Sequence, residues 1–258
     1  MQNDCWIKSS TAKRELKELF SEIDRALSES YQNSPNDPEL TLDGSLKTLF
    51  YERSRQYLEH FNADRLAKGL CRVKISLNHI PHAESQHGAD IGLVAQISIL
   101  GEIDIKKAVL VQSKRLIPKD GREFNQDCTY RELFKTESEK EPQWKRMLNI
   151  TCSSVYFFYN PDRVTIGKTY KTLGTRVISA QNIEGKANAK VNSLSAKQSF
   201  EEGKKFSDWI VDNFICCSVG DTSKKTIDTA FGVNSDFPVH NTFHFVINEE
   251  EVSPKDIT

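Results

Sequence analysis

Asp90 and a Gln-x-Lys pair, Gln112 and Lys114, stand near the two ends of HGADIGLVAQISILGEIDIKKAVLVQSKR, residues 87 to 115. A carboxylate, an amide oxygen and an ammonium suit hydrolysis of a phosphodiester. A hard divalent cation takes oxygen ligands, neutralises developing charge and lowers the pKa of an attacking water. Asp90 would be its main ligand, and Gln112 would add a side-chain or main-chain oxygen. Lys114 would position the water or stabilise the charged transition state. Glu52 would supply a further carboxylate, with Glu59 and Glu84 competing for that place.

Two apolar runs must hold these groups. In the first, Ile91, Leu93, Ala95, Ile97 and Ile99 alternate onto one face, which leaves Asp90 and Gly92 on the other. In the second, Ala108, Leu110, Gln112 and Lys114 share a face. A short Gly-containing turn joins them, so a hairpin is predicted with the carboxylate and the amine at one end of a sheet.

The periodicity before the hairpin predicts a helix over residues 11 to 27 on Leu16, Leu19, Phe20, Ile23 and Leu27, then a polar linker over 30 to 39. A second helix is expected from about Ser45 to Phe61, capped by Asp43 or Ser45. Its stripe is Leu46, Leu49, Phe50, Tyr57 and Phe61, with Glu52 and Glu59 on one side at its edge. Leu70 to Leu77 alternates as a strand, and NHIPHAESQHG is a polar loop.

After Lys114, short helices are expected over Phe124 to Phe134 and around Trp144, Met147 and Leu148, with Pro142 in a first turn. Ser154 to Tyr159 reads as a buried strand, Arg176 to Ala180 as a short one, Ser195 to Cys217 as a helix and Thr242 to Ile247 as a last strand.

With 258 residues the chain can bury a sizeable core. A net charge of −1 removes any whole-chain argument for nucleic-acid binding, so an electrostatic footprint must be local. One candidate is the stretch from 163 to 205, where nine Lys/Arg face three Asp/Glu. With Lys107, Arg115, Lys119 and Arg122 it would track a phosphate backbone.

Six cysteines without a CxxC pair predict reduced thiols and a cytoplasmic protein. No signal-like leader or apolar run near ~20 residues predicts export or membrane spanning. His79, His82 and His87 cluster before Asp90, yet with Cys71 they match no zinc-ligand spacing; His240 and His244 lack the Glu of HExxH. No GxxxxGK[ST] is present, so an energy-driven step would need a partner.

The order of helix with Glu52, strand, strand with HGAD, strand with VQSK, helix and strand resembles the PD-(D/E)xK superfamily of restriction-endonuclease-like nucleases. It is most similar to the branch with Gln before x-Lys, over roughly residues 45 to 160. The resemblance implies an α/β fold, a mixed central sheet flanked by helices, with helical extensions at both termini. On that division 1–40 is a helical extension and linker, 41–160 the nuclease core, and 161–258 a C-terminal extension packing on the core or on partners.

It further implies a Mg2+-dependent endonuclease, with Mn2+ as a substitute, acting on double-stranded DNA through Glu52, Asp90, Gln112 and Lys114. The pieces also resemble nuclease effectors of Lamassu-type bacterial antiphage systems. That implies an SMC-like ATPase and an accessory subunit as partners, and a homo-oligomer when active. Gln112, where a carboxylate would otherwise stand, points to a single-metal or degenerate site. The alternatives are a non-catalytic binding or assembly subunit and an RNase.

Overall fold

Ser9 opens the first helix, α1 (Ser10–Asn33), by accepting a hydrogen bond from the Ala12 N–H at 3.2 Å. Leu16, Leu19, Phe20, Ile23, Leu27 and Tyr31 bury one stripe of it. The computed structural model describes residues 5–7, 9–35, 39–69, 73–81, 89–99, 101, 103–118, 123–130, 133, 141–191, 193–216, 218–233 and 239–249. The second helix, α2 (Glu39–Ala67), starts upstream of the expected Asp43 or Ser45. Its buried side is Leu42, Asp43, Leu46, Phe50, Ser54, Leu58 and Phe61. The rings of Phe20 and Phe50, 5.9 Å apart, join the two helices.

The remaining elements surround one mixed sheet. β1 (Val73–Pro81), β2 (Ile91–Ile99), β3 (Ile103–Ile117) and β4 (Thr129–Tyr130) precede α3 (Gln143–Leu148). β5 (Ser154–Tyr159) is followed by β6 (Val164–Ile166), β7 (Thr169–Lys171) and β8 (Arg176–Ser179). Next come α4 (Ala180–Asn188), α5 (Ala196–Glu202), β9 (Lys204–Lys205) and α6 (Phe206–Asp208). A π-helical stretch, Trp209–Ile215, leads to α7 (Lys224–Ala230) and β10 (Asn241–Glu249).

The sheet order is β1-β10-β2-β3-β5-β8-β9, with β4 alongside β3 and a separate β6–β7 hairpin. β2 and β3 pair antiparallel, as the hairpin reading predicts, with Ile91 opposite Val111. β5 lies parallel to β3. β10 lies between β1 and β2, antiparallel to the first and parallel to the second. The segment after residue 160 thus supplies three strands of the sheet.

Helices cover both faces. Phe243 and Phe245 pack on Phe50 of α2, and Phe157 packs on Phe206 and Trp209. On the opposite face Gly92 lies so close to Ala230 of α7 that a Cβ would overlap its carbonyl. The protein is therefore a mixed α/β fold with a central mixed sheet flanked by helices.

Four expectations are corrected. The described part of Phe124–Phe134 is not helical: Thr129 and Tyr130 extend along Leu116 and Ile117. The expected helix from Ser195 to Cys217 is broken at Gly203, whose extended backbone packs against Arg176 and leads into the short pairing of β8 with β9. The polar loop after Leu77 begins as strand, with Asn78 to Pro81 paired to β10. Cys5 and Cys216, expected as thiols, form a disulfide. The Trp6 indole donates to the Ile215 carbonyl at 2.9 Å, which lays the N-terminal segment against the end of the π-helical stretch. Cys128 (buried) and Cys152 (exposed) are uncrosslinked. Among the described residues no helix is long and apolar enough to cross a membrane.

Candidate active site at the open end of the β2–β3 hairpin

β3 runs past the start of β2, so Ser113 presents its backbone N–H where β2 has ended. The Asp90 carboxylate fills that place: Oδ2 accepts the Ser113 N–H at 2.7 Å and Gln112 Nε2 at 2.5 Å. The Asp90 backbone is fixed as well, its N–H donating to Val111 O at 3.0 Å and its carbonyl accepting from Asn241 N at 3.1 Å. An aspartate at the head of β2 thus completes the ladder with its side chain. Asp90 remains partly exposed, whereas Gln112 and Lys114 are buried.

Gln112 and Lys114 share a face of β3, and Tyr156 of β5 stands beside Gln112 in register. Burial first, and the Asp90 charge second, push the Tyr156 phenol above its ordinary range. Gln112 Oε1 and the Tyr156 hydroxyl are both buried without a hydrogen-bond partner among the described residues. Such atoms are uncommon, because each forfeits its hydration without a replacement bond.

On the other face of β3, the Ser113 hydroxyl donates to Asp43 Oδ1 at 2.7 Å, and Tyr159 OH donates to the same oxygen at 2.7 Å. Asp43 is 3% exposed. Burial, then the Asp43 charge, hold the Tyr159 phenol well above its ordinary range; the Asp90 charge acts in the same direction. Sequence reasoning passed over Asp43 as a helix cap. The signal was an acid one turn before Leu46 and two before Phe50, inside the apolar stripe.

The structure does not bring Glu52 to this site. Nine residues after Asp43, it is roughly 13 Å further along α2 and about half a turn round. It is exposed, in a surface groove with Glu22, Arg55, Glu59 and His60. Glu59 pairs there with Arg55 at 3.1 Å. Glu84, His82, His87, Cys71, Lys119 and Arg122 lie outside the described residues.

The basic surface also changes. Lys107, expected to meet phosphate, is 1% exposed. Its ammonium donates to the Phe214 carbonyl and, at 2.5 Å, to that of Val219. Alternation explains the burial, since Lys107 points into the same layer as Val109 and Val111. Arg115 is partly buried and donates to Pro35 O at 2.9 Å. Arg176, within the basic stretch, is buried and bonds the Leu173 carbonyl at 2.9 Å.

His79 contacts Asn241 Oδ1 at 3.1 Å, and burial, followed by Lys106, lowers the His244 pKa. Among the described residues no three His, Cys, Asp or Glu side chains form a metal-binding group. No family model, curated protein or solved structure matches the chain.

Proposed function

We propose that the chain is a Mg2+-dependent endonuclease acting on double-stranded DNA, built on a restriction-endonuclease-like core. The observation that carries this reading is the meeting of Asp90 with Gln112 beside Lys114 at the end of one hairpin. The element order supports it: helix, strand, antiparallel hairpin, and a strand parallel to the hairpin's second arm, with helices on both faces.

The residues fit a hard cation. Asp90 offers a carboxylate, and Gln112 Oε1, buried without a hydrogen-bond partner among the described residues, is an oxygen donor two bonds from the nitrogen that faces Asp90. Bound there, Mg2+ (or Mn2+) would neutralise charge on the phosphate and acidify a water. Lys114 would supply positive charge to the transition state. Asp43 replaces Glu52 as the helix acid nearest the site, holding Ser113 rather than joining the ligand set.

An unregulated nuclease would damage its own cell. The proposal therefore includes control by an SMC-like ATPase and an accessory subunit in an antiphage system, with assembly into a homo-oligomer as the activating step. A second reading, a non-catalytic assembly subunit, is favoured by the burial of Lys107 and Arg176, which takes two of the basic side chains away from a phosphate-binding surface.

Purified chain incubated with plasmid and Mg2+, alone and with partner subunits, separates the readings, with Asp90→Ala and Lys114→Ala as controls and RNA as a parallel substrate. Nuclease action predicts plasmid nicking lost in both variants. No cleavage under any condition favours the assembly subunit, and cleavage untouched by either substitution removes the site.

A further inference from the structure

Asp43 and Asp90 approach β3 from different elements and meet at a single residue. Ser113 donates its backbone N–H to Asp90 Oδ2 and its hydroxyl to Asp43 Oδ1, each at 2.7 Å. Tyr159 clamps the same Asp43 oxygen from β5 at 2.7 Å and lies 3.4 Å from the Ser113 hydroxyl. Asp43, Ser113 and Tyr159 are all 3% exposed or less, so water does not compete for these bonds. Their geometry is over-determined, with α2, β3 and β5 each contributing one member.

We infer that Asp43, Ser113 and Tyr159 form a positioning relay that sets the Asp90 carboxylate for cation binding. This rests on the metal-site reading above and extends it to residues that touch neither cation nor substrate. Two physical effects are involved. The first is orientation. A carboxylate on a two-rotor side chain would otherwise sample several directions, and pinning the Ser113 hydroxyl fixes the strand segment whose N–H holds Asp90. The second is charge. Asp43, buried on the far face of β3, adds negative potential behind the cation position, in surroundings where screening by water is weak.

The charge and orientation effects separate by substitution. Ser113→Ala keeps the backbone N–H to Asp90 but cuts the link to Asp43, whereas Ser113→Thr keeps both. Asp43→Asn keeps an acceptor oxygen but removes the charge. Tyr159→Phe removes one of the two donors to Asp43 and leaves Ser113 in place.

The test is calorimetric titration of each folded full-length variant with Mn2+ alone, with far-UV circular dichroism as the folding control. Wild type is expected to bind, and Ser113→Ala to bind about tenfold or more weakly, the usual scale for groups that orient metal ligands. Ser113→Thr is expected to restore wild-type affinity, and Tyr159→Phe to fall between wild type and Ser113→Ala. Binding by Ser113→Ala and Tyr159→Phe equal to that of wild type would overturn the relay while leaving the cation site standing. Wild type without measurable Mn2+ binding would overturn the cation site and the relay with it. Should Ser113→Ala not fold, Tyr159→Phe and Asp43→Asn decide the matter, since unchanged affinity in both contradicts the relay.

Discussion

Gln112 turns the nitrogen of its amide, not the oxygen, towards Asp90: Nε2 donates to Oδ2 at 2.5 Å, and Oε1 is buried without a hydrogen-bond partner among the described residues. An ionised carboxylate accepts and does not donate, so facing it the amide must present N–H. A cation placed between them would select the oxygen instead. Gln112 is therefore the residue whose amide would have to turn for Asp90 and Oε1 to share a cation.

Lys107 is expected to act in folding and not in nucleic-acid binding. Its stem packs against Gly220, and its ammonium satisfies the Phe214 and Val219 carbonyls over the Phe214 ring. Lys107→Met removes the ammonium from both carbonyls and should cost about 2–4 kcal/mol in denaturant unfolding. If the chain binds DNA, the slope of log affinity against log salt should stay the same in this variant. A fall in that slope by about one would mark Lys107 as a phosphate contact.

Asp43 and Glu52 occupy opposite sides of the same helix and should respond very differently to truncation. Asp43→Ala removes the buried acceptor shared by the Ser113 and Tyr159 hydroxyls and should destabilise the fold by about 2–4 kcal/mol. Glu52→Ala alters an exposed side chain and should stay within about 0.5 kcal/mol. Urea midpoints of the two variants check the ranking. Equal effects would show that α2 is rotated from the orientation described.

The pH dependence of stability should carry the mark of Asp24. Its Oδ1 accepts the Thr175 N–H at 2.8 Å, and a Cβ on Gly174 (φ +58°) would overlap Oδ2. Burial pushes this carboxyl from 3.8 up to about 6, against the opposing bonds to Thr175 and the charge of Arg176. A folded pKa above the unfolded one means that the native state holds its proton more tightly. The contribution is therefore complete below about pH 4 and is lost as pH rises through about 6, at most roughly 3 kcal/mol. Asp24→Asn keeps an acceptor and removes the titration. Melting temperatures of wild type and variant should converge at low pH and separate towards neutrality, with wild type the lower. Parallel curves would contradict the assignment.

Local pattern carried much of this structure. The β2–β3 hairpin follows from alternation, and its register places Asp90 and Gln112 next to each other. Asp43 was visible but misread, because an acid near a helix start suits a cap and its burial depends on where the helix begins. At Glu39, Asp43 falls within the stripe. The insertion of β10 between β1 and β2 has no local signature, since parallel pairing with residues 150 positions away is decided by the assembled sheet. Lys107 was read by residue type, although its alternation with Val109 and Val111 already assigned it to a covered face.

The central claim is that Asp90 and Gln112 together hold a divalent cation, and the melting temperature of Gln112→Glu with and without millimolar Mg2+ tests it most directly. Replacing the amide sets a second carboxylate against Asp90 in a largely buried place. Without a divalent ion the variant should melt several degrees below wild type, through repulsion and the loss of the Nε2 bond. Mg2+ should recover most of that difference, and should raise the variant's melting temperature by more than that of wild type. If Mg2+ leaves both proteins unchanged while the variant melts low, no cation is held between these residues and the nuclease site proposed here is refuted.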